Sequence, residues 1–118
     1  MNLDLDSQPL EIDWNRLSQI SDDDREFQLE LLDMLATDIT EQLVMIKSAI
    51  ELQDGQQIQA IGHYLKGATA NVGVNSMTSI ARQLEAIGRS QDFTGAANYL
   101  AALAVQQQKL LAYLATKM

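Results

Sequence analysis

The chain contains one histidine, His63, and the residues spaced around it decide what chemistry it could do. A neutral imidazole is a nucleophile near pH 7. Lys66 follows it by three residues and Gly67 by four, so on a helix both lie about one turn along the same face. The ammonium could neutralise an anion bound to the ring, and the glycine leaves bare backbone beside it for another molecule to approach. This set suits transient capture of a phosphoryl group. Cysteine is absent, which excludes thiol catalysis and disulfides, and a single histidine argues against a histidine metal site. No Gly-rich phosphate loop occurs, so nucleotide binding is not expected and the phosphate would have to come from a protein.

The elements that must position these residues read as helices. Aromatics are 5% of the chain against 47% apolar residues, which implies an aliphatic core and favours helices over a sheet. Asp13 is expected to cap a short first helix carrying Trp14, Leu17 and Ile20. Ser21 followed by Asp22, Asp23 and Asp24 reads as an N-cap with acidic residues in the first turn, rather than as a metal site. The helix after it places Phe27, Leu31, Leu35, Ile39, Leu43, Ile46 and Ile50 on one stripe and ends at Asp54-Gly55. A third helix is expected from about Gln56 to Asn71, its stripe being Ile58, Ile61, Leu65, Ala68 and Val72, with Gly73 closing it. Asn75 or Ser76 would cap a fourth, with Met77, Ile80, Leu84 and Ile87 inward, and Thr94 a fifth. That last helix would bury Ala97, Leu100, Leu103, Leu110, Leu111 and Leu114 and leave Gln106 to Gln108 as a solvated patch. Four amphipathic helices with short connections imply an all-α fold: an antiparallel up-down-up-down four-helix bundle with a short additional N-terminal helix across one end. Residues 1–10 are expected to be a flexible segment and 11–118 the bundle domain.

Projected at about 100° per residue, the third helix puts His63 roughly opposite its apolar arc, facing solvent. A lone histidine there could be incidental. Its flanking positions are Gln59, Ala60, Lys66, Gly67 and Ala70, and three of these five have small side chains or none. Gly67 costs about 1 kcal/mol relative to alanine in a helix interior, a cost that points to a need for access.

The run His63 to Gly73, His-Tyr-Leu-Lys-Gly-Ala-Thr-Ala-Asn-Val-Gly, resembles the signature of histidine-containing phosphotransfer (HPt) domains. His63, Leu65, Lys66, Gly67, Ala68, Val72 and Gly73 fit it, with Thr69 at the second small position. The likeness extends from about Ile12 to Leu114 through the order of helices. It implies a four-helix bundle with a short extra helix, His63 as phosphoacceptor through Nε2, Lys66 stabilising phosphoryl charge, and Gly67 keeping the surface open. Many relatives place a Glu or Gln on the next helix against Nδ1–H; Glu85 matches that position, with Gln83 the other candidate. Ala68 and Thr69 stand where the family often has Ser, so a hydroxyl contact to the phosphoryl group does not carry over. The implied partners are response-regulator receiver domains and hybrid histidine kinases, and the implied role is a phosphorelay carrier rather than an enzyme, with no cofactor. Two other readings are the phosphoacceptor domain of a chemotaxis-type kinase and a helical adaptor whose histidine carries no phosphate.

Charge and hydropathy set further bounds. A net charge of −8 argues against nucleic acid as a partner. Residues 1–54 hold 14 acids and 3 bases, a net of −11, whereas 55–118 hold 2 and 5, a net of +3. Basic character thus collects on the histidine half, where Arg82 and Arg89 could steer an acidic partner. The start carries Asp4 and Asp6 where an export signal would be basic and then apolar, and no apolar run approaches the ~20 residues that span a bilayer. A cytoplasmic monomer is expected, without membrane contact.

Overall fold

The computed structural model describes residues 8–117. Five helices follow in order: α1 (Trp14–Ser21), α2 (Arg25–Glu51), α3 (Gly55–Asn71), α4 (Asn75–Ser90) and α5 (Ala96–Lys117). Helix α3 packs on α2 and α4, and α5 closes the ring by packing on the same two. Gly62 of α3 lies against Glu85 of α4 while Gly88 lies against Gly55 and Gln59, so the two helices run antiparallel. The four-helix bundle read from the sequence is the fold. Residues 1–7 of the leading segment lie outside the described residues.

Aliphatic side chains fill the centre, with Leu32, Ile39, Ile46, Ile58, Leu65, Met77, Leu84, Leu103 and Leu110 fully buried. Helix α1 covers one end. Its N-cap is Asp13, whose Oδ1 accepts the Arg16 amide at 3.1 Å, and Leu17 is driven into the core. The Arg16 guanidinium donates to the carbonyl and the side chain of Asn71, each at 2.9 Å, tying α1 to the end of α3. Trp14 sits 6.1 Å from the Tyr113 ring with Arg25 over its face at 4.1 Å, which pins α1 to α2 and α5.

Several boundaries differ from the sequence reading, each for a local reason. Ser21 does not cap α2; it ends α1, with its hydroxyl bound to the Leu17 carbonyl and accepting from Gln28. Asp22 and Asp23 then turn through positive φ, and Asp24 is the cap, accepting the Phe27 amide at 3.2 Å. Within the first turns of α2, Gln28 and Leu32 are buried while Phe27 is exposed. Asp54 caps α3 rather than ending α2, and Gly55 is the first residue of α3. Helix α4 starts from Val74 without a side-chain cap, because the Ser76 hydroxyl is engaged elsewhere. Helix α5 begins at Ala96, two residues beyond Thr94, whose amide is bound by Asp92. On α5, Ala97 and Leu111 face solvent.

The largest departure concerns the glutamines of α5. Gln106 and Gln107 are buried, and only Gln108 is exposed. Gln106 accepts from the Ser76 hydroxyl at 2.7 Å and donates to the Gln8 carbonyl at 2.9 Å, joining α4, α5 and the leading segment. Gln107 donates to the Ala36 carbonyl at 2.6 Å and to Thr40, joining α5 to α2. Both groups of the Gln106 amide are met, whereas Gln107 Oε1 is buried without a hydrogen-bond partner; truncating Gln106 strands its partners. Gln106→Ala should therefore lower the stability by about 1–3 kcal/mol in urea denaturation. An unchanged midpoint would show that this amide contributes nothing.

Candidate functional site

Helix α3 is fixed at both ends, by the Asp54 cap and by Gly73, whose φ of +80° turns the chain into α4. A side chain at Gly73 would meet the Asp13 carbonyl at 2.9 Å, so glycine satisfies both the turn and the packing of α1. His63 lies mid-helix with its side chain 71% exposed, as the helical projection requires. The ring is nevertheless held. Its Nδ1 lies 2.8 Å from Glu85 Oε2 on α4.

Glu85 is the buried member of the set, its side chain 7% exposed. Its other oxygen, Oε1, accepts from Lys66 Nζ at 2.7 Å, and Arg89, one turn along α4, reaches Oε2 at 3.4 Å. The Lys66 ammonium, followed by the His63 ring, holds the Glu85 carboxyl below its ordinary value, so it is ionised near neutral pH. An ionised carboxylate only accepts, hence the Nδ1 facing it must carry the proton. In the neutral ring the lone pair then sits on Nε2, which has no hydrogen-bond partner among the described residues. The result is an immobilised nucleophilic nitrogen open to solvent.

Glu85 reaches His63 because the two helices touch at the backbone. A Cβ on Gly62 would lie 2.5 Å from the Glu85 amide nitrogen and 2.8 Å from its Cα. One on Gly88 would lie 2.3 Å from the Gln59 nitrogen. Any larger residue would force α3 and α4 apart. These two glycines escaped the sequence reading, although Gly62 precedes the histidine directly and interrupts a helix at some cost. Gly67 is different: nothing lies within 4 Å of the Cβ it lacks. Its openness, and Ala60 nearby, leave one flank of the ring uncovered.

The remaining candidates separate clearly. Gln83 is exposed on α4, and the contact to His63 belongs to Glu85. The Thr69 hydroxyl is buried, bound to the Leu65 carbonyl and to Thr78 at 2.8 Å, so it does not face the ring's surroundings. Tyr64, next to the histidine in sequence, is half exposed, and its hydroxyl donates to Asp38 of α2 at 2.5 Å. That bond, with burial and the Asp38 charge, raises the Tyr64 pKa. Arg89 stands 3.4 Å from Glu85 on an exposed side chain, so it is not purely a steering charge. Among the described residues no cluster of His, Asp and Glu could hold a metal ion, and no helix is long and apolar enough to cross a membrane.

The described residues form an antiparallel helical bundle that presents one outward imidazole, backed by a buried carboxylate and a lysine. The family comparison agrees. The Hpt domain model matches residues 30–116, and the chain belongs to that family, which serves phosphotransfer in two-component signalling. Among solved structures, the chain is similar to histidine-containing phosphotransfer protein B (HptB) from Pseudomonas aeruginosa PAO1, with a TM-score of 0.81 and 19% identity over 90% of this chain and 92% of that one. It is also similar to the HPT domain of a sensor hybrid histidine kinase from Shewanella, with a TM-score of 0.71 and 19% identity over 96% of this chain and 94% of that one. No curated protein sequence matches it.

The two kinds of glycine predict opposite responses to one methyl group. Gly62→Ala should destabilise the fold by about 1–3 kcal/mol, since backbone rather than a flexible side chain must yield. Gly67→Ala should stabilise it by about 0.5–1 kcal/mol through helix propensity alone. Urea denaturation of both variants distinguishes them, and equal shifts of the same sign would contradict the assignment.

Proposed function

We propose that the chain is a phosphorelay intermediate that accepts a phosphoryl group on His63 Nε2 from one receiver aspartate and passes it to another. The observation that carries this reading is the Nδ1–Glu85 bond at 2.8 Å on a ring 71% exposed, which leaves Nε2 unprotonated and accessible. In the forward step the Nε2 lone pair attacks phosphorus of an aspartyl phosphate, in line with the bond that breaks. The N–P bond forms as the P–O bond to the aspartate cleaves, and the leaving electron pair stays on the aspartate carboxylate. Nδ1 keeps its proton, so the ring becomes cationic as the bond forms, and the Glu85 carboxylate stabilises that charge. Lys66 neutralises the phosphoryl oxygens, and Gly67 lets the partner's backbone come close.

On this reading the chain is carrier and substrate rather than enzyme. The receiver supplies the remaining catalytic groups. Its partners are response-regulator receiver domains and hybrid histidine kinases, and it works as a cytoplasmic monomer with residues 11–118 as the functional unit.

The test is incubation with a receiver domain phosphorylated on its aspartate. The chain should become labelled in an acid-labile, base-stable form, and His63→Gln should abolish the label. Glu85→Gln should still label but more slowly, by about ten-fold or more, the worth of one hydrogen bond to a charged group. Label surviving in His63→Gln would refute the assignment.

A further inference from the structure

The carboxylate behind the histidine has more basic partners than the free protein requires. Lys66 and the His63 N–H occupy Glu85 at 2.7 and 2.8 Å, the range of tight charge-assisted bonds. Arg89 stands off at 3.4 Å, on an exposed side chain with room to move, four residues after Glu85 on the same helix. Lys66, in turn, is the cation nearest in sequence to the histidine, three residues along α3. It cannot give its full charge to Glu85 and to a phosphoryl group at once.

We propose that Arg89 is a positioning residue for the loaded state, taking over neutralisation of Glu85 when Lys66 turns to the phosphoryl group on His63. The inference rests on the reading of His63 as phosphoacceptor. Transfer brings about two negative charges on the phosphoryl oxygens while the ring, keeping its Nδ1 proton, becomes a cation. Those oxygens draw Lys66 away from Oε1. A carboxylate only 7% exposed then keeps the ring N–H alone, and a buried charge stripped of a partner is costly. Arg89 closes onto it. Counting His63, Glu85, Lys66 and Arg89 together, the loaded site is neutral with the arginine and carries one net negative charge without it.

The experiment measures, for the full chain, the equilibrium partition of phosphoryl label between a phosphorylated receiver domain and His63. Arg89→Gln should lower the share on His63 by up to about five-fold, the upper range for a solvent-exposed ion pair. Arg89→Lys should restore it. In a Glu85→Gln background, where no carboxylate needs neutralising, Arg89→Gln should cause no further loss. A loss equally large in that background would show that Arg89 acts on the partner and overturn the proposal, as would an Arg89→Gln partition equal to wild type or a failure of lysine to rescue. If the wild-type chain takes no label, the phosphoacceptor reading itself falls, an outcome distinct from all of these.

Discussion

A carboxylate buried between two helices must be met by donors, and that requirement organises the surface around His63. Glu85 sits where α3 and α4 come into backbone contact, with its side chain 7% exposed. Removing a charge from water costs several kcal/mol unless hydrogen bonds replace hydration. His63 and Lys66, one turn apart on the neighbouring helix, supply those bonds, and the Arg89 guanidinium adds its charge at 3.4 Å. The same bonds that satisfy Glu85 set the tautomer of the ring and hold the ammonium beside it. An exposed, unprotonated Nε2 is thus a consequence of satisfying a buried charge on a different helix.

That arrangement depends on packing far less visible than the histidine. Gly62 and Gly88 bring the helices together, and the Thr69–Thr78 bond of 2.8 Å joins them nearer the Gly73 turn. Gln106 and Gln107 tie α5 to α4, to α2 and to the leading segment. The bundle therefore combines an aliphatic centre, which contributes most of the stability but little specificity of register, with a few buried polar contacts that fix how the helices sit.

The outward histidine, its lysine and its glycine were legible because a helix projects residues by a fixed angle, and three small residues on an exposed face break the usual composition of such a face. Glu85 was legible through family resemblance; the projection alone left it level with Gln83. The glutamines of α5 were misread because burial of an amide depends on partners distant in sequence, Ser76 and Ala36, which no local pattern reveals. Ser21 was misread because three aspartates follow it and each can cap a helix; the αL turn through Asp22 and Asp23 settled the choice on Asp24. Gly62 was not legible, because its close contact depends on where α4 packs, which the residues of α3 do not reveal.

Whether Glu85 holds the proton on Nδ1 and leaves Nε2 free can be read from 15N NMR of the imidazole in the unphosphorylated chain at alkaline pH. The Nδ1–H tautomer should be the dominant form, with its share falling in Glu85→Gln. A ring protonated mainly on Nε2 in the wild-type chain would contradict it.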